Sequence, residues 1–493
     1  MKRFAKAIAL FSAGSVIGTL TQVAKGKLGA ILLGAEGVGV LNQLTNAWNL
    51  LFSAAGLGFY NGVVRRIAEA DASGDNQALA RQLSTSLIFL TAVSCVGAAL
   101  GVLLSTRISQ WIFVDDGAHA RLVAITLASV PFAIAAQTYK GLLSGCKKVK
   151  PIVSAQVVSD VLGLGVFVVL VYAMDLTGAV LAFSALHLLK LALQIVSLRR
   201  ALPGVAILPR PGEFAWSEVG INVGYGINGL FMVSVGVFTM VLVSRWIIDA
   251  QGLAANGVFS VAWKVASVYF GALYASASSF YFPTLVACRD DDELGARINE
   301  AISLYFFLLP PVIVGLMVAG EDLMFLLFSR EFAPAAFLLL YILPGDLFRV
   351  LAEAMGMAFL ARRRLIPYTL TYVLWAASFL ALARWGLDAR GLFGVALAYL
   401  VAQVISAAAV YACARRSFSF RLSRPALRTI ALGMGVVAAA SLMLVAGPAM
   451  LWRYGTGAAI LALWLVLAWL DPGFRDLAEA SWNKLLRTRK GAP

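Results

Sequence analysis

Residues 333–361 read APAAFLLLYILPGDLFRVLAEAMGMAFLA, an apolar run longer than a soluble core helix needs. Within it, LPGDLFRVLAEAMG (343–356) sets Asp346, Arg349 and Glu353 among aliphatic and aromatic neighbours. A helix of about 20 apolar residues spans the hydrocarbon core of a bilayer. The three charges are spaced i+3 and i+4, so they fall within about 60° of one helical face and can compensate one another as a ladder.

The rest of the chain repeats this character. Hydrophobic residues make up 61% of the 493 and charged residues 13%, and mean hydropathy is +0.85. Soluble domains carry about 25% charged residues, so the solvent this composition suits is lipid. Apolar runs of spanning length recur from end to end and strand-like alternation is absent. The expected fold is therefore an all-α polytopic membrane protein of about fourteen transmembrane helices. Spans are expected near 6–33, 36–64, 84–105, 120–142, 151–174, 178–198, 217–246, 254–287, 298–319, 333–361, 366–385, 391–414, 426–447 and 454–470.

Charge tests this count. With the N-terminus cytoplasmic, 28 Lys and Arg fall on cytoplasmic segments, among them Arg65, Arg66, Lys147, Lys148 and the run Arg362–Arg364, and 7 fall outside. That bias follows the positive-inside rule, and a missed or invented span would scramble it. It also accounts for the net charge of +15, so nucleic acid is not an expected partner. Cys95, Cys146, Cys288 and Cys413 are far apart, lack metal-ligand spacing and read as small apolar residues. The basic start MKRFAKAIAL resembles a signal peptide, but its apolar stretch continues to Leu33 and reads as the first span.

Spans 1–2 (GVGVLNQL through GLGFYNGVV) and spans 7–8 (GVFSVAWK through SSFYFPTL) look like repeats about 220 residues apart. The expected organisation is a six-helix lobe over 1–200, a second over 217–415, an extra pair over 425–471 and a tail over 472–493. Two six-helix lobes around a central cavity are a transporter signature. The tail carries Phe474, Leu477, Trp482 and Leu485 roughly on one face with basic residues at its end, as a surface-lying amphipathic helix would.

Five basic residues fall well within spans: Lys25, Lys27, Lys190, Lys264 and Arg349. Each costs on the order of 3 kcal/mol at the bilayer centre on insertion scales, so each is expected to face protein or a water-filled cavity. Asn42, Asn46, Asn49, Ser53, Gly56 and Tyr60 share a stripe on span 2, and Ser260, Lys264, Ser267, Gly271, Tyr274 and Ser278 share one on span 8. Small and polar residues also glue membrane helices together, so packing competes with cavity lining for both stripes. Packing competes less on span 8, where a lysine adds nothing to it. Lys25 and Lys27 point to different sides, and either could face a cavity. His187 reads as packed, and Lys190 as snorkelling to the surface. A self-neutralised structural network competes with a substrate-facing role for Arg349.

No nucleotide-binding loop, metal-ligand cluster or nucleophile elbow occurs, so no cofactor, metal or enzymatic activity is expected.

The stretch LLGAEGVGVLNQLTNAWNLLFSAAGLGFYNGVVRRIAE (32–69) resembles spans 1–2 of Wzx-type O-antigen and enterobacterial-common-antigen translocases. GKLGAILLG around Lys27, FYFPTL closing span 8 and PGDLFRV in span 10 are similar too. The last matches a Gly-Asp-x-x-Lys/Arg pattern at Gly345, Asp346 and Arg349. The resemblance implies alternating access that carries an undecaprenyl-pyrophosphate-linked oligosaccharide across a bacterial inner membrane, with both termini cytoplasmic. It supports Lys27, Asp346 and Arg349 by motif; Lys264 rests on its stripe alone. Expected substrate contacts are Lys25, Lys27, Asn42, Asn46, Asn49, Lys264, Ser267, Tyr274 and Arg349, with Asp346 and Glu353 for coupling or charge balance. H⁺ or Na⁺ are the candidate coupling ions, and membrane lipids, a polysaccharide polymerase and chain-length machinery the candidate partners. Fourteen spans exceed the twelve of many relatives and keep a peptidoglycan-precursor flippase open. An organic-cation antiporter would want a more acidic interior, and a membrane-embedded polymerase or ligase would want a large outside loop.

Overall fold

The computed structural model describes residues 2–203, 208–277, 281–446 and 450–470. Among them the chain is helical throughout, without strands. The helices are α1 (Lys2–Gly56), α2 (Phe59–Ser73), α3 (Asn76–Leu103), α4 (Ser105–Phe113), α5 (Ala120–Ala128), α6 (Val130–Gly145), α7 (Val149–Ala201) and α8 (Trp216–Ser276). They continue with α9 (Phe282–Ala287), α10 (Asp291–Val318), α11 (Gly320–Leu327), α12 (Ala333–Ala361), α13 (Leu365–Phe418), α14 (Arg424–Ala446) and α15 (Met450–Leu470). Nine described helices are long and apolar enough to cross a membrane, and α15 holds a shorter apolar core.

Four of the nine are double. The backbone breaks at Gly34 in α1, at Met174–Asp175 in α7, at Gly252 in α8 and at Gly391 in α13. Divided at these breaks, the nine make thirteen spans among the described residues and α15 adds a fourteenth, and the protein is a multi-pass membrane protein. Gly34, Gly252 and Gly391 have φ of 65°, 84° and 62°, a region that glycine enters without a Cβ clash. Asp175 takes φ 48° and ψ −128° with a side chain attached, a strained conformation. The breaks also expose the repeat: Gly34 and Gly252 lie 218 residues apart, and Asp175 and Gly391 lie 216 apart.

Span 2 runs further than its hydropathy indicates. After left-handed turns at Leu57 and Gly58, α2 carries the helix on to Ser73. Arg65 and Arg66 pair with Glu69 at i+4 and i+3 there, and Gly74 caps the end. Such pairs hold a polar helix that a hydropathy window does not see. Span 4 is in two pieces, α5 and α6, jointed at Ser129, whose hydroxyl receives the Trp48 indole N–H at 2.9 Å. The amphipathic tail expected over 472–493 lies outside the described residues.

The chain divides into two compact units, Met1–Ser260 with Leu326–Phe332, and Val261–Phe325 with Ala333–Pro493. The core of the first joins α1, α2, α3, α6 and α7 through Trp48, Phe59, Ile67, Leu83, Leu142 and Leu198. In that unit spans 2 and 7 also meet closely. A Cβ on Gly58 or Gly226 would strike the other's backbone, Gly62 lies against Asn222, and Arg66 grips Glu218 with two bonds of 2.6 and 3.0 Å.

In the second unit α12 packs on α13, and α14 packs on α10 and α12. Pro344 has no N–H for the carbonyl of Leu340 four residues earlier. Ser441 of α14 donates to that carbonyl at 3.2 Å. Arg453 of α15 is buried and donates to Val318 O at 2.7 Å and to Glu321. These bonds make Arg453 the rivet between α15 and the α10–α11 corner.

Candidate functional site

In the first unit, spans 1 and 5 run side by side in matched register. A Cβ on Gly14 would meet Val153, one on Gly18 would meet Asp160 Oδ2 at 3.2 Å, and one on Gly163 would meet Lys25 Nζ at 3.2 Å. Small residues at these positions let the two helices approach while leaving room for a carboxylate and an ammonium between them. Asp160 is 7% exposed. It accepts from Gln156 Nε2 at 2.7 Å and stands 3.8 Å from Lys190 Nζ. Lys25 lies within electrostatic reach of both Asp160 and Lys190. Beside this cluster is a cavity of about 290 Å³ whose wall includes Ser15, Thr19, Gln22, Lys140, Gln156 and Asp160.

Lys25 and Lys27 do point apart. Lys25 turns toward span 5, whereas Lys27 Nζ donates to Leu326 O at 2.7 Å, at the C-terminal end of α11. Lys190 does not reach for the surface; it turns to Asp160. His187 is packed, stacking on Trp48 with ring centroids 4.5 Å apart.

On span 2 the polar stripe is half-buried. Asn46 Nδ2 lies 3.4 Å from Ser244 Oγ and 3.5 Å from Gln43 Oε1. Gln43, fully buried, donates to Ile112 O at 3.0 Å and Val241 O at 3.2 Å. Asn46 thus belongs partly to helix packing, while Asn42 and Asn49 stay half-accessible. Tyr60 shares a hydrogen bond with Ser144 at 3.3 Å.

In the second unit, Lys264, Ser267, Gly271 and Tyr274 on span 8 are all accessible, whereas Ser260 is buried. Ser267 returns its hydroxyl to Trp263 O at 2.7 Å. Ser278, the last member of that stripe, lies outside the described residues.

The ladder of α12 is capped by tyrosines. Tyr399 OH donates to Asp346 Oδ1 at 2.6 Å, and Tyr368 OH donates to Glu353 Oε2 at 3.2 Å. The Arg349 guanidinium lies between the two carboxylates in sequence and 3.5 Å from the centroid of Phe270, a cation–π contact. Each tyrosine passes over a glycine. A Cβ on Gly345 would meet the Tyr399 ring at 3.0 Å, and one on Gly356 would meet the Tyr368 ring at 2.5 Å. That gives the Gly-Asp pair a physical reason: Gly345 lets the phenol ring come close enough to bond the carboxylate beside it. Phe270, Tyr274, Tyr305 and Glu353 border a void of only about 20 Å³.

Asp160 is not among the residues that charge counting or the PGDLFRV pattern single out. A lone carboxylate in the apolar run of span 5 was the signal available. The tyrosine caps carry no local signal, since Tyr399 lies 53 residues from its partner. No group of three or more His, Cys, Asp or Glu able to hold a metal ion occurs among the described residues.

Fourteen membrane helices with charged clusters inside each unit define a transporter fold. The fold is shared with an inward-facing multidrug resistance MATE family transporter of the MOP superfamily, at a TM-score of 0.69 and 16% identity over 84% of this chain and 98% of that one. The lipid II flippase MurJ in an inward closed conformation matches over 95% of this chain and 100% of its own, at a TM-score of 0.72 and 14% identity. The MatE family model matches residues 16–169. Among curated proteins, the lipid III flippases of Escherichia coli (strain K12) and Shigella flexneri are each 23% identical over 395 residues, covering 77% of this chain and 90% of theirs. These matched proteins are transporters and flippases.

Proposed function

We propose that this protein is a flippase. It moves an undecaprenyl-pyrophosphate-linked oligosaccharide, an O-antigen or related surface-polysaccharide repeat unit, from the cytoplasmic to the periplasmic leaflet of a bacterial inner membrane. The observation that carries the reading is similarity to lipid III flippases across 90% of their length, joined to lysines and an arginine at membrane depth. Lipid flippases face a diphosphate that must cross a low-dielectric layer, and Lys and Arg replace its lost hydration with charge-assisted hydrogen bonds. Lys25, Lys264 and Arg349 serve that role, with Lys27 setting the end of α11. Asn42, Asn46, Asn49, Ser267 and Tyr274 offer hydrogen bonds and an aromatic face to the sugars. Asp346 and Glu353 balance Arg349 and are the candidate couplers to H⁺ or Na⁺. The two six-helix lobes alternate access, and both termini are cytoplasmic, as the distribution of Lys and Arg favours.

The test is reconstitution in proteoliposomes with a fluorescent lipid-linked oligosaccharide, followed by quenching of the outer leaflet. Protein-dependent exchange is expected; its absence with lipid-linked substrates of several sugar compositions would sink the reading. A second reading, a peptidoglycan lipid-precursor flippase, is favoured by the fourteen spans and by the match to the lipid II flippase along its whole length. Offering lipid II in the same assay separates the two.

A further inference from the structure

The proposed transport reading leaves Asp160 unused, together with the cavity beside it. Lys25 and Lys190 both face Asp160 here, and Lys140 stands on the cavity wall within electrostatic reach of Lys190. Lys25 and Lys190 against one carboxylate leave an excess positive charge within the spans, where it is costly, and Lys140 adds to it from the cavity wall. The carboxylate is held loosely on its cationic side, at 3.8 Å from Lys190, and tightly by the neutral Gln156 at 2.7 Å. Gln22 adds further hydrogen-bonding capacity to the cavity wall. An apolar or cationic ligand gains little from such walls, whereas a small multivalent anion gains from every lysine.

We infer that this cavity, walled by spans 1, 4 and 5 with Lys25 and Lys190 beside it, is a diphosphate-binding site, and that Asp160 is its resident competitor. The inference rests on the flippase reading and deepens it by giving the diphosphate of the lipid headgroup a docking point in the first unit, in addition to Lys264 and Arg349. In the empty chamber Asp160 supplies the counter-charge that keeps Lys190 and Lys25 tolerable inside the membrane. An entering diphosphate takes over those lysines, and Asp160 falls back on Gln156. On release, Asp160 re-engages the lysines and helps to expel the anion. Strong affinity would trap the headgroup; a built-in rival of the same charge keeps binding reversible.

The competitor role makes a signature that a structural carboxylate would not. Asp160→Asn keeps an oxygen for Gln156 but removes the rival charge. It is expected to tighten diphosphate binding about tenfold while slowing translocation. Lys25→Gln and Lys190→Gln should weaken binding by about tenfold or more. Lys140→Gln, which leaves both Asp160 contacts in place, should weaken it as well if Lys190→Gln fails to insert. Binding is measured on the full chain in nanodiscs, with undecaprenyl diphosphate as one probe and inorganic pyrophosphate as the other. Thermal unfolding of each variant controls for integrity. Weaker binding in Asp160→Asn, or affinity unmoved by the lysine variants, overturns the site. Lysine-dependent binding of inorganic pyrophosphate without binding of the lipid overturns the headgroup assignment. Lysine-dependent binding of the lipid by a wild-type protein that moves no oligosaccharide supports the site and fells the transport reading alone.

Discussion

Each unit buries ionisable groups on membrane helices, but the two clusters are built in opposite ways. In the first, Lys25 and Lys190 face one carboxylate, the ion pair is loose at 3.8 Å, and a cavity of about 290 Å³ with Lys140 on its wall adjoins it. In the second, one arginine stands among two carboxylates, each carboxylate takes a tyrosine hydroxyl, and the adjoining void is about 20 Å³. The first has spare charge and spare room, which suits an exchange of partners. The second is packed and hydrogen-bonded, which suits a fixed electrostatic frame. Sequence counts of charged residues in spans do not separate these cases; the packing does.

The contrast should break most visibly at Arg349. Arg349→Ala leaves the buried Asp346 and the half-buried Glu353 without the positive charge between them, an effect of about 3 kcal/mol, and a clear fall in the thermal unfolding temperature in detergent is expected. Lys190→Gln leaves Asp160 with Gln156 and Lys25, and its unfolding temperature should barely move. Similar falls for both variants would erase the distinction between frame and exchanger.

A finer probe is Gly345→Ala. The added methyl drives the Tyr399 ring off Asp346, which should cost about 1–3 kcal/mol. Tyr399→Phe removes only the hydroxyl and should be milder. If it proves the more damaging of the two, the hydrogen bond outweighs the packing in the second unit.

The paired breaks at Asp175 and Gly391 give a smaller comparison. Asp175 holds a strained conformation that Gly391 meets without a side chain in the other half. Relieving it with Asp175→Gly should stabilise the first unit by about 1 kcal/mol, read again as an unfolding temperature. An unchanged or lower value would mean that Asp175 makes contacts worth the strain.

The smallest effect is expected in the loop after α4. Burial alone would raise the Asp115 carboxyl. Hydrogen bonds from His119, from the Gly117 N–H and from Ser109 hold it below the usual carboxylate range instead. A depressed folded value adds stability above the unfolded value and loses it as pH falls through the folded one. The turn should therefore stay protected at pH 5 and loosen only below about pH 4, near the ordinary aspartate value. Hydrogen exchange of this loop measures it, and Asp115→Asn should abolish the dependence.

Much of the fold was legible because bilayer thickness sets a helix length that hydropathy registers. The ladder in α12 was legible for a similar local reason, since i+3 and i+4 spacing fixes a face. The site resisted where partners are distant in sequence. Nothing near Asp346 announces Tyr399, and nothing near Lys25 announces that Gly163 clears its path. Lys25 and Lys27 illustrate the limit: helical geometry separates them, but only the packed structure says which neighbour each one meets. Span 2 ran past its expected end because Arg65, Arg66 and Glu69 stabilise a helix that no hydropathy window detects.

Pro344 sets an order of assembly. The carbonyl of Leu340 loses its usual partner when the helix forms and finds a replacement in Ser441, 101 residues downstream. During synthesis α12 emerges before α14, so this bond to the Leu340 carbonyl forms only once Ser441 arrives. The last hairpin is then a closing step in the maturation of the second unit rather than an appendage to a finished one. A ribosome stalled before α14 would leave behind a unit with its own docking point still exposed.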